Sequence, residues 1–134
     1  MATVFHRLET APRPVAPFSH AVESDRWVLL TGQMPTDPDD PDAPPPAGIQ
    51  AQTRRVMDNL GLVLGELGLG FADVLQCRVY LLDFAADYAA MNAVYASYFA
   101  PDRLPARTCV GVTALAVGAR VEIDLVARRP DAAS

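Results

Sequence analysis

The sequence PARTCVGVTALAVGARVEID at residues 105–124 decides the fold, because it contains two strand-like segments joined by a short connection. The first segment carries Arg107 and Cys109, and the second carries Glu122 and Asp124. Side chains alternate along a strand, so each of these pairs shares one strand face. A symmetric antiparallel hairpin would set Cys109 opposite Glu122 and Arg107 opposite Asp124. This register predicts a guanidinium and carboxylates on one patch of sheet.

Such a patch has two interpretations. Judged by spacing alone, a strand arginine near a strand glutamate is more typical of a structural ion pair than of a catalytic site. Cys109 is typical of a small buried hydrophobic residue, because no histidine lies near it in the sequence to activate its thiol. Spacing therefore leaves the role of these residues open.

Outward from this stretch, the hydrophobic pattern predicts two helices and further strands. Apolar residues recur at helical spacing across residues 49–67, and two glycines follow. A second helix is predicted to begin after a capping Asp83 and to end at Pro101. Apolar runs at residues 27–30 and 74–82 predict strands. The second helix carries a stripe that we expect to face the core, namely Tyr88, Met91, Tyr95 and Tyr98.

The order strand, strand, helix, strand, helix, strand, strand predicts an α+β fold, with a mixed sheet and both helices on one face. The other face would be bare, yet residues 27–30 and 125–126 are apolar at consecutive positions. We therefore expect that face to meet a partner. All 134 residues are assigned to a single domain, with an Asp/Pro-rich loop at about 36–47 and a short tail at about 130–134.

Composition narrows the class of protein. A hydrophobic content of 51% and a mean hydropathy of +0.13 favour a packed core, yet no apolar run is long enough to span a bilayer. The N-terminus lacks a secretory signal, and two cysteines suggest no disulfide framework, so we expect a cytoplasmic protein. A net charge of −5 disfavours a nucleic-acid partner. His6 and His20 are the only histidines and have no ligand spacing, so no metal is expected.

The chain resembles the Rid (YjgF-type) family of reactive-intermediate deaminases in six segments that follow the order found in the family. The family runs P-A-R-x-C-V and V-E-I-x-x-x-A are matched by residues 105–110 and 121–127. The earlier matches are APFSH at 16–20, LTGQMP at 30–35, AQTR at 51–54 and MNAVYASYF at 91–99. Any one segment is weak, whereas six in order are specific for the family, although less so for the substrate.

The resemblance implies a chorismate-mutase-like α+β sandwich that forms a homotrimer with its sites in the subunit clefts. It also implies hydrolysis of small enamine and imine acids, such as 2-aminoacrylate or 2-iminobutanoate, to 2-keto acids and ammonia without a cofactor. Arg107 would bind the substrate carboxylate through two parallel hydrogen bonds, and Glu122 would position water and relay protons. The substrate-lining residues that the resemblance assigns are Phe18, Thr31, Gly32, Asn92 and Cys109.

One departure from the family is Phe18, because many members have tyrosine there and Phe18 lacks the hydroxyl donor. His20 is a candidate for the missing polar group, although a surface strand position is the commoner role for such a histidine. Asn92 also has a plain interpretation as a polar residue on a helix surface.

Two other functions stay open. One is a non-catalytic trimer that captures small carboxylates at Arg107, and the other is a partner protein of chaperone-like or ribonuclease-like type. The presence of Glu122 favours the enzyme, because carboxylate capture needs no nearby acid.

Overall fold

The computed structural model describes residues 2–131 and contains one six-stranded sheet with two helices. The strands lie in the order β1-β2-β3-β6-β4-β5, and all neighbours are antiparallel except β4 and β5. The elements in chain order are β1 (Val4–His6), β2 (Ala21–Ser24), β3 (Trp27–Gln33), α1 (Ile49–Glu66), β4 (Val74–Leu81), α2 (Phe84–Ala96), β5 (Ala106–Gly111) and β6 (Val121–Arg128).

The predicted α+β fold is confirmed, and both helices pack into one core on the same face of the sheet. Strand β1 adds a sixth strand to the five that were predicted. Helix α1 ends as expected, because Gly68 adopts a φ of 72° and lets the Leu69 N–H reach the Leu64 carbonyl at 2.8 Å. In the part of the chain that the structure describes, neither helix is long and apolar enough to cross a membrane.

Helix α2 begins at its predicted cap, where the Asp83 carboxylate accepts a hydrogen bond from the Ala86 N–H at 3.3 Å. The prediction that α2 continues to Pro101 is wrong, because the α-helix ends at Ala96. The backbone there tightens into hydrogen bonds that span three residues, and the Ser97 hydroxyl donates to the Val94 carbonyl at 2.6 Å.

The predicted hairpin between the Arg107 and Glu122 strands is also wrong, because β4 lies between them. Strand β5 pairs with β4 in parallel and sets Arg107 opposite Cys77. Strand β6 pairs with the other side of β4 and sets Leu125 opposite the same Cys77. The connection at residues 112–120 passes over one intervening strand, a distance it covers easily since neighbouring strands are about 4.8 Å apart.

The inserted strand also separates the side chains. On β6, the side chains of Val121, Ile123, Leu125 and Ala127 are buried on the helix-covered face. Glu122 therefore points to the opposite face, where its register partner on β4 is Tyr80. Arg107 shares the helix-covered face with Cys77, since it contacts α2. The predicted single patch is thus two patches on opposite faces.

The second face of the sheet is bare, as the two-helix arrangement predicted. Its exposed apolar side chains include Trp27 and Leu29, which are 46% and 51% exposed. Strands β6 and β4 lie between β3 and β5 and carry an ion pair, in which Arg78 donates two hydrogen bonds of 2.9 Å to Asp124. Strand β5 forms one edge of the sheet.

Two buried amides of α1 attach the two ends of the Asp/Pro-rich loop. Asn59 donates to the carbonyls of Met34 and Thr36 at 3.0 and 2.8 Å. Gln52 donates to the Pro46 carbonyl at 3.0 Å and accepts the Arg120 N–H at 2.8 Å. The end of β3 and the start of β6 are therefore both anchored to α1.

An ion pair between Glu23 on β2 and Arg129 predicts acid-sensitive stability. Two hydrogen bonds of 2.7 and 2.9 Å from Arg129 lower the pKa of Glu23 from 4.5 to about 2. Because the folded-state pKa is depressed, the stabilisation is present above pH 4.5 and disappears as the pH falls towards 2. Glu23→Gln should reduce the free energy of unfolding by about 1 kcal/mol at neutral pH, given solvent screening, and by much less near the acid end.

Urea unfolding of the parent and Glu23→Gln, at one protein concentration, measures this difference at each pH. Glu9→Gln changes an exposed carboxylate and is the matched control. An equal loss for Glu23→Gln at both pH values would contradict the assignment.

Candidate functional site

The first group of polar residues surrounds Arg107 on β5 and is called the arginine cluster: Arg107, Tyr88, Asn92 and Tyr95. The Arg107 Nη1 donates to Asn92 Oδ1 at 2.7 Å, and its Nη2 donates to the Tyr88 hydroxyl at 3.3 Å. The guanidinium carbon lies 5.0 Å from the Tyr95 ring centroid. These α2 residues follow at intervals of four and three, which brings all of them to one side of the helix.

Arg107 is held by neutral groups. Between residues 2 and 131, no aspartate or glutamate forms an ion pair with it. A guanidinium carries five N–H donors, and the hydrogen bonds to Asn92 and Tyr88 use two of them. A half-buried, oriented arginine with free donors is suited to bind an anion, and a planar carboxylate matches its geometry.

A cavity of about 270 Å³ adjoins the guanidinium. Apart from Arg107 and Asn92 its walls are apolar or aromatic, which suits a small molecule with a short carbon chain. The lining residues are Asn92, Tyr95, Ala96, Leu104, Pro105 and Arg107. The predicted lining position of Asn92 therefore has a geometric basis, both in the cavity wall and in the hydrogen bond to Arg107.

Cys109 lies two residues beyond Arg107 on the same strand face and is half-buried. Burial raises the pKa of its thiol, and the positive charge of Arg107 only partly opposes that effect. The thiol is therefore protonated at neutral pH and behaves as a small apolar group, in line with the sequence analysis.

The second group, called the glutamate cluster, consists of Glu122, Gly32, Thr31 and Phe18. The Glu122 carboxylate lies directly against Gly32, and a Cβ at that position would overlap its Oε2 atom. The Thr31 hydroxyl donates to the Ser19 carbonyl at 2.6 Å, which ties the segment after Phe18 to β3. Phe18 and Gly32 line one small cleft. Gly32 is thus in contact with Glu122, while Phe18 shares a cleft with Gly32 and Thr31 precedes Gly32 on β3.

The pKa of Glu122 is raised, first by burial of the carboxyl group and second by the negative charge of Asp124. No arginine, lysine or histidine of residues 2–131 forms an ion pair with Glu122 to oppose this shift. Asp124 itself is bound by Arg78 and receives a hydrogen bond from the Tyr80 hydroxyl at 3.3 Å. A carboxyl group with a raised pKa gains and loses a proton more readily near neutral pH.

His20 does not serve as a polar group beside Phe18. It is 2% exposed, its Nδ1 accepts the Leu8 N–H at 2.9 Å, and its Nε2 donates to the Pro12 carbonyl at 2.8 Å. These two partners fix the tautomer and use both ring nitrogens. Both expectations for His20, as a surface residue and as a substitute donor, are wrong because the N-terminal segment folds over it.

Sequence reasoning missed the contacts that Tyr88 and Tyr95 make with Arg107, since it placed the whole aromatic stripe in the core. Met91 and Tyr95 are buried as expected, whereas Tyr88 is 36% exposed. The sequence did contain a signal for these contacts, namely that Asn92 lies on the same side of α2 as the two tyrosines.

Within the described range 2–131, no three His, Cys, Asp or Glu side chains are grouped so that they could hold a metal ion.

One chain brings together Arg107, Asn92 and Cys109. Separately, it places Glu122 against Gly32, with Thr31 beside Gly32 in the chain and Phe18 in the same cleft as Gly32. It does not bring the two groups to each other, because the sheet lies between them.

Comparison with known proteins points to one family. A family model described as endoribonuclease L-PSP matches residues 8–129. The mouse protein named 2-iminobutanoate/2-iminopropanoate deaminase is 36% identical over 117 residues, which cover 87% of this chain and 84% of that protein.

Two solved structures share the fold. The Rid-family protein YyfA from Yersinia pestis has a TM-score of 0.88 at 30% identity, over 96% of this chain and 100% of the other. Escherichia coli TdcF with bound serine has a TM-score of 0.85 at 28% identity, over 95% and 99% of the two chains. The chorismate-mutase-like sandwich that the resemblance implied is therefore the fold of this protein.

Gly32→Ala tests the contact between Gly32 and Glu122. The added Cβ would overlap the end of a flexible side chain, so the fold should persist while the carboxylate moves. We expect a melting temperature close to that of the parent and a changed Glu122 titration, measured by carboxyl-carbon NMR.

Gly65→Ala is the matched control, because a Cβ at that position in α1 meets nothing within 4 Å. It should leave the Glu122 titration unchanged. A parental Glu122 titration in Gly32→Ala would show that the two residues are not in contact.

Proposed function

We propose that this chain, which belongs to the Rid (YjgF-type) family, hydrolyses small enamine and imine acids such as 2-aminoacrylate and 2-iminobutanoate to 2-keto acids and ammonia. Some family members carry the name 2-iminobutanoate/2-iminopropanoate deaminase. The observation that carries the proposal is Arg107, which two neutral acceptors and an aromatic ring orient while leaving donors free for a carboxylate.

The reaction needs a bound carboxylate, an oriented water and a proton for the leaving nitrogen. An enamine acid first gains a proton on carbon and loses one from nitrogen, which gives the imine. Water then adds to the imine carbon, the C–N bond of the resulting carbinolamine breaks, and a 2-keto acid and ammonia leave. Arg107 holds the carboxylate beside the reacting carbon, and Glu122 accepts a proton from the water and returns it to the nitrogen.

Both roles require groups from two chains. Arg107 and Glu122 occupy opposite faces of one sheet, so a single chain cannot direct both at one substrate. We propose that the arginine cluster of one copy meets the glutamate cluster of the next. Such a site would account for two incomplete clusters on one chain, each with predicted substrate-lining residues.

The bare face supplies a surface for that association. It exposes Trp27, Leu29 and Val110, of which Val110 lies on the edge strand β5, three residues after Arg107. Apolar surface of this kind is typical of protein interfaces, and an open strand edge favours contact with another chain. The homotrimer that the resemblance implied is the assembly we propose.

A second function has one observation in its favour. A structural relative was solved with bound serine, a small molecule that carries a carboxylate. In this chain the arginine cluster could bind a small carboxylate without turnover. The two functions differ in their dependence on Glu122, because binding alone needs only Arg107.

Arg107→Lys should abolish most of the activity without unfolding the protein. Lysine keeps the charge but loses the two parallel hydrogen bonds, which should cost roughly 10²–10³ in rate. A coupled assay, in which a pyridoxal-phosphate-dependent dehydratase generates 2-aminoacrylate, measures the release of the keto acid. Arg103→Lys, in a nearby loop, is the control. Parental activity in Arg107→Lys would refute the carboxylate clamp.

Glu122→Gln should retain affinity for 2-oxobutanoate in calorimetry and lose most of the deaminase activity, because glutamine cannot relay a proton.

The pH dependence of the parent's rate tests the same role of Glu122. The rate should fall on the acid side as Glu122 becomes protonated, with a midpoint above the usual 4.5 because the pKa of Glu122 is raised. Asp124→Asn should move that midpoint to lower pH, since it removes the second cause of the shift. Equal activity in Glu122→Gln would favour the binding function.

Light scattering at micromolar concentration should give three times the 14.4 kDa mass of one chain. Leu29→Asp places a charge on the bare face and should dissociate the assembly, whereas Leu62→Asp on the outer side of α1 should not. A monomeric parent under these conditions would contradict the assembly.

A further inference from the structure

Tyr88 lies at the exposed side of the arginine cluster. Its hydroxyl accepts a hydrogen bond from Arg107 Nη2 at 3.3 Å, and the side chain is 36% exposed. Tyr95 is different, because its ring packs beneath the same guanidinium and is only 5% exposed. The two tyrosines therefore have separate positions: Tyr95 supports Arg107 from the core, and Tyr88 contacts it from the side that faces solvent.

The ring of Tyr88 is itself held in place. It stacks on Phe84 with the ring centroids 4.6 Å apart and an interplanar angle of 23°. Phe84 in turn packs onto Gly111 at the end of β5, where an added Cβ would come within 3.2 Å of the Phe84 Cβ. Strand β5 thus carries Arg107 and also the surface against which the Tyr88 stack rests.

The hydroxyl of Tyr88 has an unused donor. A phenol offers one O–H donor and two acceptor lone pairs, and the hydrogen bond from Arg107 occupies a lone pair. Among residues 2–131, no protein acceptor takes the Tyr88 proton. The nitrogen that binds Tyr88, Nη2 of Arg107, has a second N–H. A carboxylate that accepted this second N–H would have an oxygen next to the Tyr88 hydroxyl.

We propose that Tyr88 is a second carboxylate-binding residue, which accepts one hydrogen bond from Arg107 and donates its own proton to the carboxylate of the bound imino acid. The inference rests on the proposed function, since it assumes that Arg107 binds a carboxylate. It extends that function by assigning to one chain a pair of donors, a guanidinium and a phenol, for one ligand group. The proton is shared in a hydrogen bond and is not transferred.

This arrangement predicts a particular kinetic signature. A hydrogen bond to the carboxylate persists from bound substrate to transition state, because the carboxylate does not react. Its loss should therefore raise KM and leave kcat nearly unchanged. A tyrosine that only stabilised α2 would instead lower the melting temperature and kcat together.

Tyr88→Phe is the direct test, because it removes the hydroxyl and keeps the ring that stacks on Phe84. We expect KM for the imino acid and Kd for 2-oxobutanoate to rise roughly tenfold, with kcat within twofold of the parent. Tyr98→Phe is the matched control, because it removes a tyrosine hydroxyl that binds Asp58 at 2.6 Å and is not part of the arginine cluster. It should leave KM and Kd unchanged.

The stacking partner gives a second test. Introduced into the parent, Phe84→Leu should loosen the Tyr88 ring and raise KM. Introduced into the Tyr88→Phe variant, it should change KM little further, because no hydroxyl is left to orient. Additive effects of the two substitutions would overturn the positioning of Tyr88 by Phe84.

Arg107→Lys, assayed in parallel, separates the failure of this inference from the failure of the proposed function. If Arg107→Lys loses 2-oxobutanoate binding and Tyr88→Phe binds like the parent, the role of Tyr88 is refuted and the carboxylate clamp stands. If Arg107→Lys also binds like the parent, both are refuted. A fall in both kcat and melting temperature for Tyr88→Phe would assign it a structural role instead.

Discussion

The placement of β4 between β5 and β6 is the constraint on which the rest of the structure depends. It gives Cys77 two neighbours, Arg107 on one side and Leu125 on the other, and so fixes which face each strand presents. Arg107 then lies under α2, while Glu122 lies on the bare face. Because side chains alternate along a strand, no rotamer change brings the two charged groups together across the sheet.

The two clusters are complementary in their electrostatics. The Arg107 guanidinium donates hydrogen bonds to neutral acceptors and packs on an aromatic ring, and no acidic side chain of residues 2–131 forms an ion pair with it. Glu122 has a raised pKa because it is partly buried and lies near Asp124. Within residues 2–131, neither group forms an ion pair with a counter-charge, and the groups that surround each one do not compete for a substrate. A substrate with a carboxylate at one end and a reacting C=N bond at the other fits between two such groups.

Much of the fold could be predicted from the sequence, because it depends on local patterns. Hydrophobic periodicity gave α1, and the side chain of Asp83 gave the start of α2. Strand pairing depended on contacts distant in sequence, so the symmetric hairpin around residues 115–116 was a reasonable local solution and still wrong. The contacts of Arg107 with α2 were hidden for the same reason. His20 was misjudged because its two partners, Leu8 and Pro12, lie in a segment without periodicity.

Complementation between two inactive variants tests most directly whether Arg107 and Glu122 of different chains share one site. Arg107→Lys and Glu122→Gln chains would be unfolded, mixed in equal amounts and refolded together, and light scattering would verify the assembly. If each site takes Arg107 from one chain and Glu122 from its neighbour, roughly a quarter of all sites are intact after random assembly, so about a quarter of the parent activity should return. If mixed trimers form and the activity does not exceed that of the separate variants, the two residues do not meet between chains and the shared site is contradicted.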